Sequence, residues 1–238
     1  MEFNAPAGTN LFDNAKLIGK STPRIDGPLK TTGTAPYAYE RHDVAPNAAY
    51  GWIVGSAIAK GRITSMNVED ARNAPGVIAV LAAPEMKPVG TSQFNHAPLF
   101  GGSEVAHYHQ AIACVVAETF EQARAAAKLI RTTYSRTSAE YDLAKLAPDA
   151  PLADGKGAKT SQGDFDAAFA AAPVKIDARY HTPDESHAMM EPLATIASWE
   201  NGKLTLWTSN QMIQWGKQAL GQILGVDPAN IRLDSPYI

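Results

Sequence analysis

The sequence predicts an α/β protein of α+β character, made of two small units joined by a polar connector. Short apolar, β-prone stretches alternate with helical segments over residues 29–136. A stretch rich in Ala, Pro and Gly covers residues 137–162, and new strands and helices follow over residues 163–238. With 238 residues and an apolar fraction of 45%, the chain is large enough for two packed cores.

The first unit is predicted to contain a series of short strands with two helices between them. Asn67 can cap a short helix over residues 68–74, and Pro75-Gly76 ends it. Thr119 and Gln122 have the spacing of a capping box at the start of a second helix. The predicted strands cover residues 48–58, 61–68, 77–83, 110–117 and 131–134. Residues 1–28, rich in Pro, Gly and Asn, are predicted to form an extended arm that contacts other surfaces.

The second unit is predicted to begin with a helix over residues 164–172 that Pro173 ends. Residues 174–181 alternate apolar and polar side chains, which predicts a half-buried strand. Asn201-Gly202 supplies a type I′ turn between strands over 194–199 and 203–208. The following helix ends at Gly225, and a strand starts at residue 231. The apolar stripe of the helix that ends at Gly225 is predicted to contain Met212, Trp215, Ala219, Leu220, Ile223 and Leu224.

Composition disfavours several classes of protein. The net charge is −3 and the 21 basic residues are scattered, whereas nucleic-acid binding needs clustered Lys and Arg. The longest strictly apolar run, residues 111–117, is far short of a membrane span. No signal peptide is visible at the N-terminus. The single cysteine, Cys114, excludes an internal disulfide and an iron–sulfur cluster held by this chain alone.

Gln211 is a candidate functional residue because it lies where a predicted strand gives way to a helix. The amide groups at a helix start point outward, and the helix dipole favours negative charge there. The neutral side-chain amide of Gln211 can donate to an oxo or phosphate oxygen at such a place. On physical grounds alone, the favoured role is that of a glutamine in the first helical turn that helps to cap the helix.

A second candidate is a zinc site formed by His181, His187 and Glu191, because two histidines and a carboxylate can bind zinc. The intervals of five and then three residues differ from the HExxH spacing, and Pro183 interrupts any regular face. A zinc-dependent hydrolase using these three residues is therefore an alternative function for the chain.

Taken together, the segments resemble the opening part of the molybdenum-binding large subunit of the xanthine dehydrogenase and aldehyde oxidase family. The matching pieces are YGWIVGSAIAKGRITSMNVEDARNAPGVIAVLAA, HYHQAIACVVAETFEQARAAAKLI and HAMMEPLATIASWENGKLTLWTSNQM. The resemblance implies an α/β hammerhead domain over residues 29–136 and the start of a molybdopterin-binding domain over 163–238. The likeness is strongest to the periplasmic aldehyde oxidoreductase branch.

The resemblance also implies an activity, the oxidation of aldehydes to carboxylic acids or the hydroxylation of N-heterocycles such as xanthine. Gln211 matches the family's glutamine that approaches the molybdenum, so it is expected to be a cofactor contact. The expected cofactor is molybdopterin, in its cytosine dinucleotide form. Iron–sulfur (2Fe-2S) and FAD subunits are the expected partners of a heterotrimeric enzyme.

The family's glycine-rich cofactor turn and glutamate base have no counterpart in these 238 residues. The resemblance therefore assigns no catalytic residue and no metal ligand to this chain. We expect the chain alone to be inactive and to need the remainder of the molybdenum-binding subunit. A non-catalytic structural or assembly fragment is an alternative function. Export with a partner subunit to the periplasm is one expected location, and the cytoplasm is the other.

Overall fold

The computed structural model describes residues 15–89, 100–150, 162–183, 185 and 187–237. The strands in chain order are β1 (Tyr50–Gly55), β2 (Gly61–Asn67), β3 (Val77–Ala82), β4 (Glu104–Val105), β5 (Ala111–Ala117), β6 (Arg131–Arg136), β7 (Thr195–Glu200), β8 (Lys203–Thr208) and β9 (Ile231–Asp234). The helices are α1 (Gly27–Thr32), α2 (Glu69–Arg72), α3 (Phe120–Ala127), α4 (Leu143–Leu146), α5 (Phe165–Ala171) and α6 (Ile213–Leu224).

The first unit contains two antiparallel three-stranded sheets, with strand orders β1-β5-β3 and β4-β2-β6. Strand β5 lies at the centre of the first sheet because nearly all its side chains are apolar and suit a position with a neighbour on each side. The two sheets meet in a small core built around Ile63, Val105 and Ile112. The strands predicted over 48–58, 61–68, 77–83, 110–117 and 131–134 are confirmed as β1, β2, β3, β5 and β6.

The predicted start of α3 is confirmed, whereas α2 begins one residue later than predicted, with Val68 rather than Asn67 at its N-cap position. The backbone N–H of Gln122 donates to Thr119 Oγ1 at 3.2 Å, and the N–H of Thr119 donates to Gln122 Oε1 at 3.0 Å. These two bonds complete the capping box of α3. At α2, the side-chain oxygen of Asn67 accepts from the N–H of Glu69 at 3.0 Å. These hydrogen bonds stabilise the starts of α2 and α3. Both helices pack against the first sheet, and their residues Ala71, Ala126 and Ala127 are part of its core.

The second unit contains the third sheet, in the order β7-β8-β9. Strands β7 and β8 form the predicted hairpin, and Asn201 (φ 51°) and Gly202 (φ 77°) have the positive φ angles of a type I′ turn. Strands β8 and β9 are parallel, and α6 connects them as a crossover helix. The core of this unit is formed by Leu204, Leu206, Ile231 and Leu233, against which Ile213, Leu220 and Val226 pack.

The predicted apolar stripe of α6 is wrong in part. Leu220 packs on the sheet, but Met212, Trp215 and Leu224 are 48%, 50% and 49% exposed. The helix carries apolar side chains on more than one side, so periodicity alone could not identify the packed face. The prediction of a C-terminal glycine cap is confirmed, because Gly225 adopts the left-handed conformation with φ 67°.

The strand predicted over residues 174–181 is wrong, since the structure has no strand there. No strand within the described parts of the chain pairs with this segment, and an extended segment needs a hydrogen-bonded neighbour to become a strand. Its apolar side chains are therefore left in solvent, with Val174, Ile176 and Tyr180 exposed at 77%, 77% and 86%.

The N-terminal arm and the connector are only partly described. Residues 1–14 of the arm and residues 151–161 of the connector lie outside the described residues. The rest of the arm is irregular until α1, which the sequence analysis did not predict. The connector holds the short helix α4, followed by a 3₁₀ turn at Ala147–Asp149. Of the helices that are described, none has the length and apolar character that a membrane crossing would require.

Residues 36–41, here called the Tyr37 segment, lie against the third sheet although they belong to the start of the first unit, before β1. The ring of Tyr37 meets the ring of Tyr237 edge to face, with centroids 5.3 Å apart. The backbone N–H of Ala38 donates to Glu191 Oε1 at 3.2 Å. Ala38 and Tyr237 are both buried by these contacts, at 7% and 8% exposure. The Tyr37 segment thus ties the start of the first unit to the end of the second.

Candidate functional site

The candidate site lies at the carboxyl ends of the parallel strands β8 and β9, where α6 begins. In open α/β structures, ligands bind at the carboxyl ends of parallel strands such as these two. Gln211 lies in the bend between Thr208, the last residue of β8, and Ile213, the first residue of α6. Its side chain is exposed, and within the described residues it makes no hydrogen bond. Its amide is therefore available to a ligand.

Hydrogen bonds on both sides of Gln211 hold the bend. The backbone N–H of Asn210 donates to Ser235 Oγ at 2.8 Å. The backbone N–H of Met212 donates to Asn210 Oδ1, also at 2.8 Å. Ser235 directly follows β9 and is brought to Asn210 by the parallel pairing of β8 with β9. The position of Gln211 is thus set by the end of the neighbouring strand as well as by its own helix.

The N-terminus of α6 carries a partial positive charge that can attract a negatively charged or oxygen-rich ligand. Helix α3 is capped by the side chain of Thr119 and α5 by that of Asp164. At α6 no side chain from the described part of the protein caps the first turn, and the first turn holds no acidic residue. The partial positive charge at this helix end is therefore not offset by the helix's own residues. The bend can donate to an oxygen-rich or anionic group without bringing a positively charged side chain.

The Tyr37 segment forms one side of a small notch beside these strand ends. The notch is lined by Pro36, Ala38, Arg41, Trp207, Thr208, Asp234 and Pro236. Arg41 is held by Asp43, with Nε 2.9 Å from Oδ1 and Nη2 3.2 Å from Oδ2. This pairing raises the pKa of Arg41 and lowers the pKa of Asp43. The guanidinium is therefore engaged by a neighbouring carboxylate.

The structure does not bring His181, His187 and Glu191 together as a metal site. Within the described residues, no three His, Cys, Asp or Glu side chains are close enough to hold a metal ion. His181 and His187 are exposed, and Glu191 accepts from the backbone of Ala38 instead. The carboxylate has a structural role at the junction of the two units, because it satisfies a partly buried backbone N–H.

Neither Asn210 nor Ser235 was predicted from the sequence as part of the site. Asn210 carried a usable signal, because an Asn shortly before a helix often accepts from the backbone two residues on. Ser235 carried none, because it lies 25 residues from Asn210 and meets it only through the pairing of β8 with β9. The contact of Tyr37 with Tyr237 is of the same kind and depends on how the two units meet.

Comparison with known families assigns both units. Residues 32–138 match the family described as "Aldehyde oxidase and xanthine dehydrogenase, a/b hammerhead domain". Residues 150–238 match the "Molybdopterin cofactor-binding domain". The β8–α6–β9 unit and the bend at Gln211 lie within the second match.

The chain is also similar to curated proteins over 90% or more of its length. It is 55% identical to the aldehyde oxidoreductase molybdenum-binding subunit PaoC of Escherichia coli strain K12, covering 100% of this chain and 32% of the relative. It is 28% identical to the putative xanthine dehydrogenase molybdenum-binding subunit XdhA of the same strain, over 90% of this chain and 31% of the relative. The chain thus spans about a third of the length of these relatives.

Solved structures share the fold. The aldehyde oxidoreductase of Desulfovibrio gigas matches with a TM-score of 0.71 at 19% identity, over 90% of this chain and 26% of that one. The quinoline 2-oxidoreductase of Pseudomonas putida 86 matches with a TM-score of 0.71 at 21% identity, over 92% of this chain and 30% of that one. The fold is therefore a hammerhead domain together with a molybdopterin-binding domain.

The donors at the bend are of the kind that a molybdenum–pterin cofactor needs. Such a group presents oxo and phosphate oxygens, which accept hydrogen bonds. The bend offers the neutral side-chain amide of Gln211 and an uncapped helix start without acidic side chains. The residues present therefore fit this class of cofactor on one side.

Proposed function

Because the chain belongs to the aldehyde oxidase and xanthine dehydrogenase family, we propose that it is part of the molybdenum-binding subunit of an enzyme that oxidises aldehydes to carboxylic acids. The observation that carries this proposal is the bend at Gln211. It presents an exposed amide with no hydrogen bond among the described residues at an uncapped helix start. We propose aldehydes rather than N-heterocycles as substrates because of the sequence identities. The chain is 55% identical to the aldehyde oxidoreductase subunit and 28% identical to the xanthine dehydrogenase subunit.

In this proposal Gln211 donates from its side-chain amide to an oxygen of the bound molybdenum–pterin group. When bound, that group supplies the oxidising equivalents for the reaction, and the protein supplies orientation and electrostatics. The amide is neutral, so it can hold the group in place without adding a proton or a charge to the site. The first turn of α6 stabilises negative charge at the same position.

Further features of the enzyme are part of the same proposal. The cofactor is the cytosine dinucleotide form of molybdopterin, and the partners are a 2Fe-2S subunit and an FAD subunit. The relatives are called molybdenum-binding subunits, a name that supports a molybdenum cofactor and an enzyme of more than one subunit. For the location, we propose two alternatives: the periplasm, reached by export with a partner subunit, or the cytoplasm. Cell fractionation followed by an activity assay of each fraction distinguishes them.

The 238 residues alone are proposed to be inactive and to serve as scaffold and one wall of the site. Small-molecule sites usually enclose most of the ligand's surface. Here Gln211 is exposed and the bend faces open space in the described structure. A cofactor held on this side alone would keep most of its surface in water, so stable binding requires further protein around it.

Replacing Gln211 with Ala in the complete enzyme tests the proposed contact. We expect the variant to fold but to lose on the order of tenfold or more in kcat/KM, with less molybdenum per protein, because a preorganised donor is removed. Gln222→Ala is the matched control, since Gln222 is an exposed glutamine near the far end of α6. Elemental analysis and aldehyde turnover are the measurements. Full molybdenum loading with unchanged turnover in the Gln211 variant would remove this residue from the site.

A further inference from the structure

The side chain of Gln211 is exposed, yet hydrogen bonds of the residues before and after it fix the backbone at this position. Asn210 precedes it and Met212 follows it, and the N–H of each donates a hydrogen bond of 2.8 Å. One acceptor is the Asn210 side chain, within the bend itself, and the other is Ser235 at the end of β9. Within the described residues, the only side-chain hydrogen bond between the bend and the end of β9 is therefore the one that the hydroxyl of Ser235 accepts.

The hydroxyl of Ser235 is used in both directions. It accepts from the N–H of Asn210 and donates to the carbonyl oxygen of Tyr237 at 3.4 Å. Tyr237 is buried and its ring packs against that of Tyr37, so the residue that accepts the hydrogen bond from Ser235 is itself fixed in position. Here one side-chain atom both accepts and donates, a combination that the hydroxyl oxygen of Ser or Thr can supply and Ala cannot.

Asn210 is held in turn by close packing against α6. A Cβ atom at Gly216 would lie 3.1 Å from Asn210 Nδ2 and 2.9 Å from Leu233 Cδ1. The absence of a side chain at Gly216 leaves room for the side chains of Asn210 and Leu233 against this part of α6. The amide of Asn210 can therefore accept from Met212 while its backbone is fixed to Ser235.

We propose that Ser235 and Asn210 are positioning residues that aim the side chain of Gln211 at the cofactor. This inference rests on the proposed role of Gln211 and adds the residues through which that role is achieved. Ser235 acts through the backbone of Asn210 and has no contact of its own with Gln211 in the described structure. The bend is exposed, so without this bond its backbone would sample several conformations and present the amide in the productive one only part of the time.

The test is a double-mutant cycle in the complete enzyme. Ser235→Ala is expected to lower kcat/KM on the order of tenfold, because a neutral hydrogen bond that fixes a donor is lost. Ser235→Thr retains a hydroxyl and is expected to restore most of the activity. Ser198→Ala is the control, since the Ser198 hydroxyl donates to Glu200 Oε1 on the exposed hairpin, near its turn.

The cycle separates positioning from a merely structural role. If Ser235 acts through Gln211, Ser235→Ala adds little to Gln211→Ala, so the two effects are strongly non-additive. Molybdenum and pterin content per protein, measured on every variant, provides a second readout that does not depend on turnover and is expected to show the same pattern. Additive effects, or an unchanged Ser235→Ala enzyme beside an impaired Gln211→Ala enzyme, would overturn the positioning proposal alone. An unimpaired Gln211→Ala enzyme would overturn the proposed contact and the positioning proposal together.

Discussion

At the scale of single residues, Asp43 and Arg41 show how a local pair can stabilise the Tyr37 segment. The carboxylate of Asp43 accepts two hydrogen bonds from the guanidinium of Arg41. The bonds favour the ionised carboxylate and lower the pKa of Asp43 below its ordinary value of 3.8. Arg41 also lines the notch beside β8 and β9, so the pair fixes a side chain next to the candidate site.

The pair predicts a dependence of stability on pH. A lowered pKa in the folded state stabilises the fold above the ordinary pKa, and this contribution is lost as pH falls through the lower, folded value. We expect Asp43→Asn to lower Tm by a constant amount above about pH 5 and by less as the pH falls below about 4. Thermal unfolding from neutral to acidic pH measures this. Asp177→Asn is the control, since Asp177 is exposed and has no ion pair within the described residues; a pH-independent loss for Asp43→Asn would contradict the prediction.

At the scale of elements, the Tyr37 segment joins parts of the chain that are distant in sequence. Its ring–ring contact with Tyr237 and its backbone bond to Glu191 both reach the second unit. The contacts lie immediately beside the strand ends that hold the bend. The placement of the bend therefore depends on the first residues of the hammerhead region as well as on β8, β9 and α6.

Removing the Tyr37 ring is expected to weaken this junction. Tyr37→Ala should lower the free energy of unfolding by about 1–3 kcal/mol, because an aromatic pair and its buried area are lost. Tyr37→Phe should be nearly neutral, since the Tyr37 hydroxyl makes no hydrogen bond within the described residues. Urea unfolding of both variants is the measurement. Equal destabilisation by Phe and Ala would show that the hydroxyl, rather than the ring, carries the contact.

At the scale of the whole molecule, the chain presents apolar surface that the described residues do not cover. Val174, Ile176 and Tyr180 are largely exposed along a segment whose alternation suits a strand. Met189, Met190 and Leu193 are also more than half exposed shortly before β7. Exposed apolar surface of this extent is typical of a protein that packs against further protein.

We therefore expect the 238-residue chain, purified alone, to contain no stoichiometric molybdenum and to show no aldehyde oxidation. The physical reason is that the donors at the bend enclose a cofactor on one side only. Elemental analysis, pterin fluorescence and turnover measure this, with the complete enzyme as the positive control. Tightly bound pterin retained by the isolated chain would contradict the proposal that these residues are one wall of the site.

Local signals in the sequence determined most of the elements. The Thr119–Gln122 spacing, the Asn201-Gly202 turn and the glycine at 225 each act within a few residues, and each was confirmed. Gln211 could be singled out for the same reason, because a strand end followed by a helix start is visible in sequence; its role stays a prediction. Packing relations could not be obtained in this way.

Only the tertiary structure decided which elements pair and which side chains meet. Residues 174–181 have the alternation of a strand but no neighbour among the described residues, and pairing, not alternation, makes a strand. Because α6 carries apolar residues on more than one side, the sequence could not show which side packs against the sheet; the structure shows that Leu220 does. Ser235 reaches Asn210 because β9 lies parallel to β8, a contact between residues that are distant in the chain. The sequence by itself thus determined the bend and its glutamine, whereas long-range pairing decided what holds that glutamine in place.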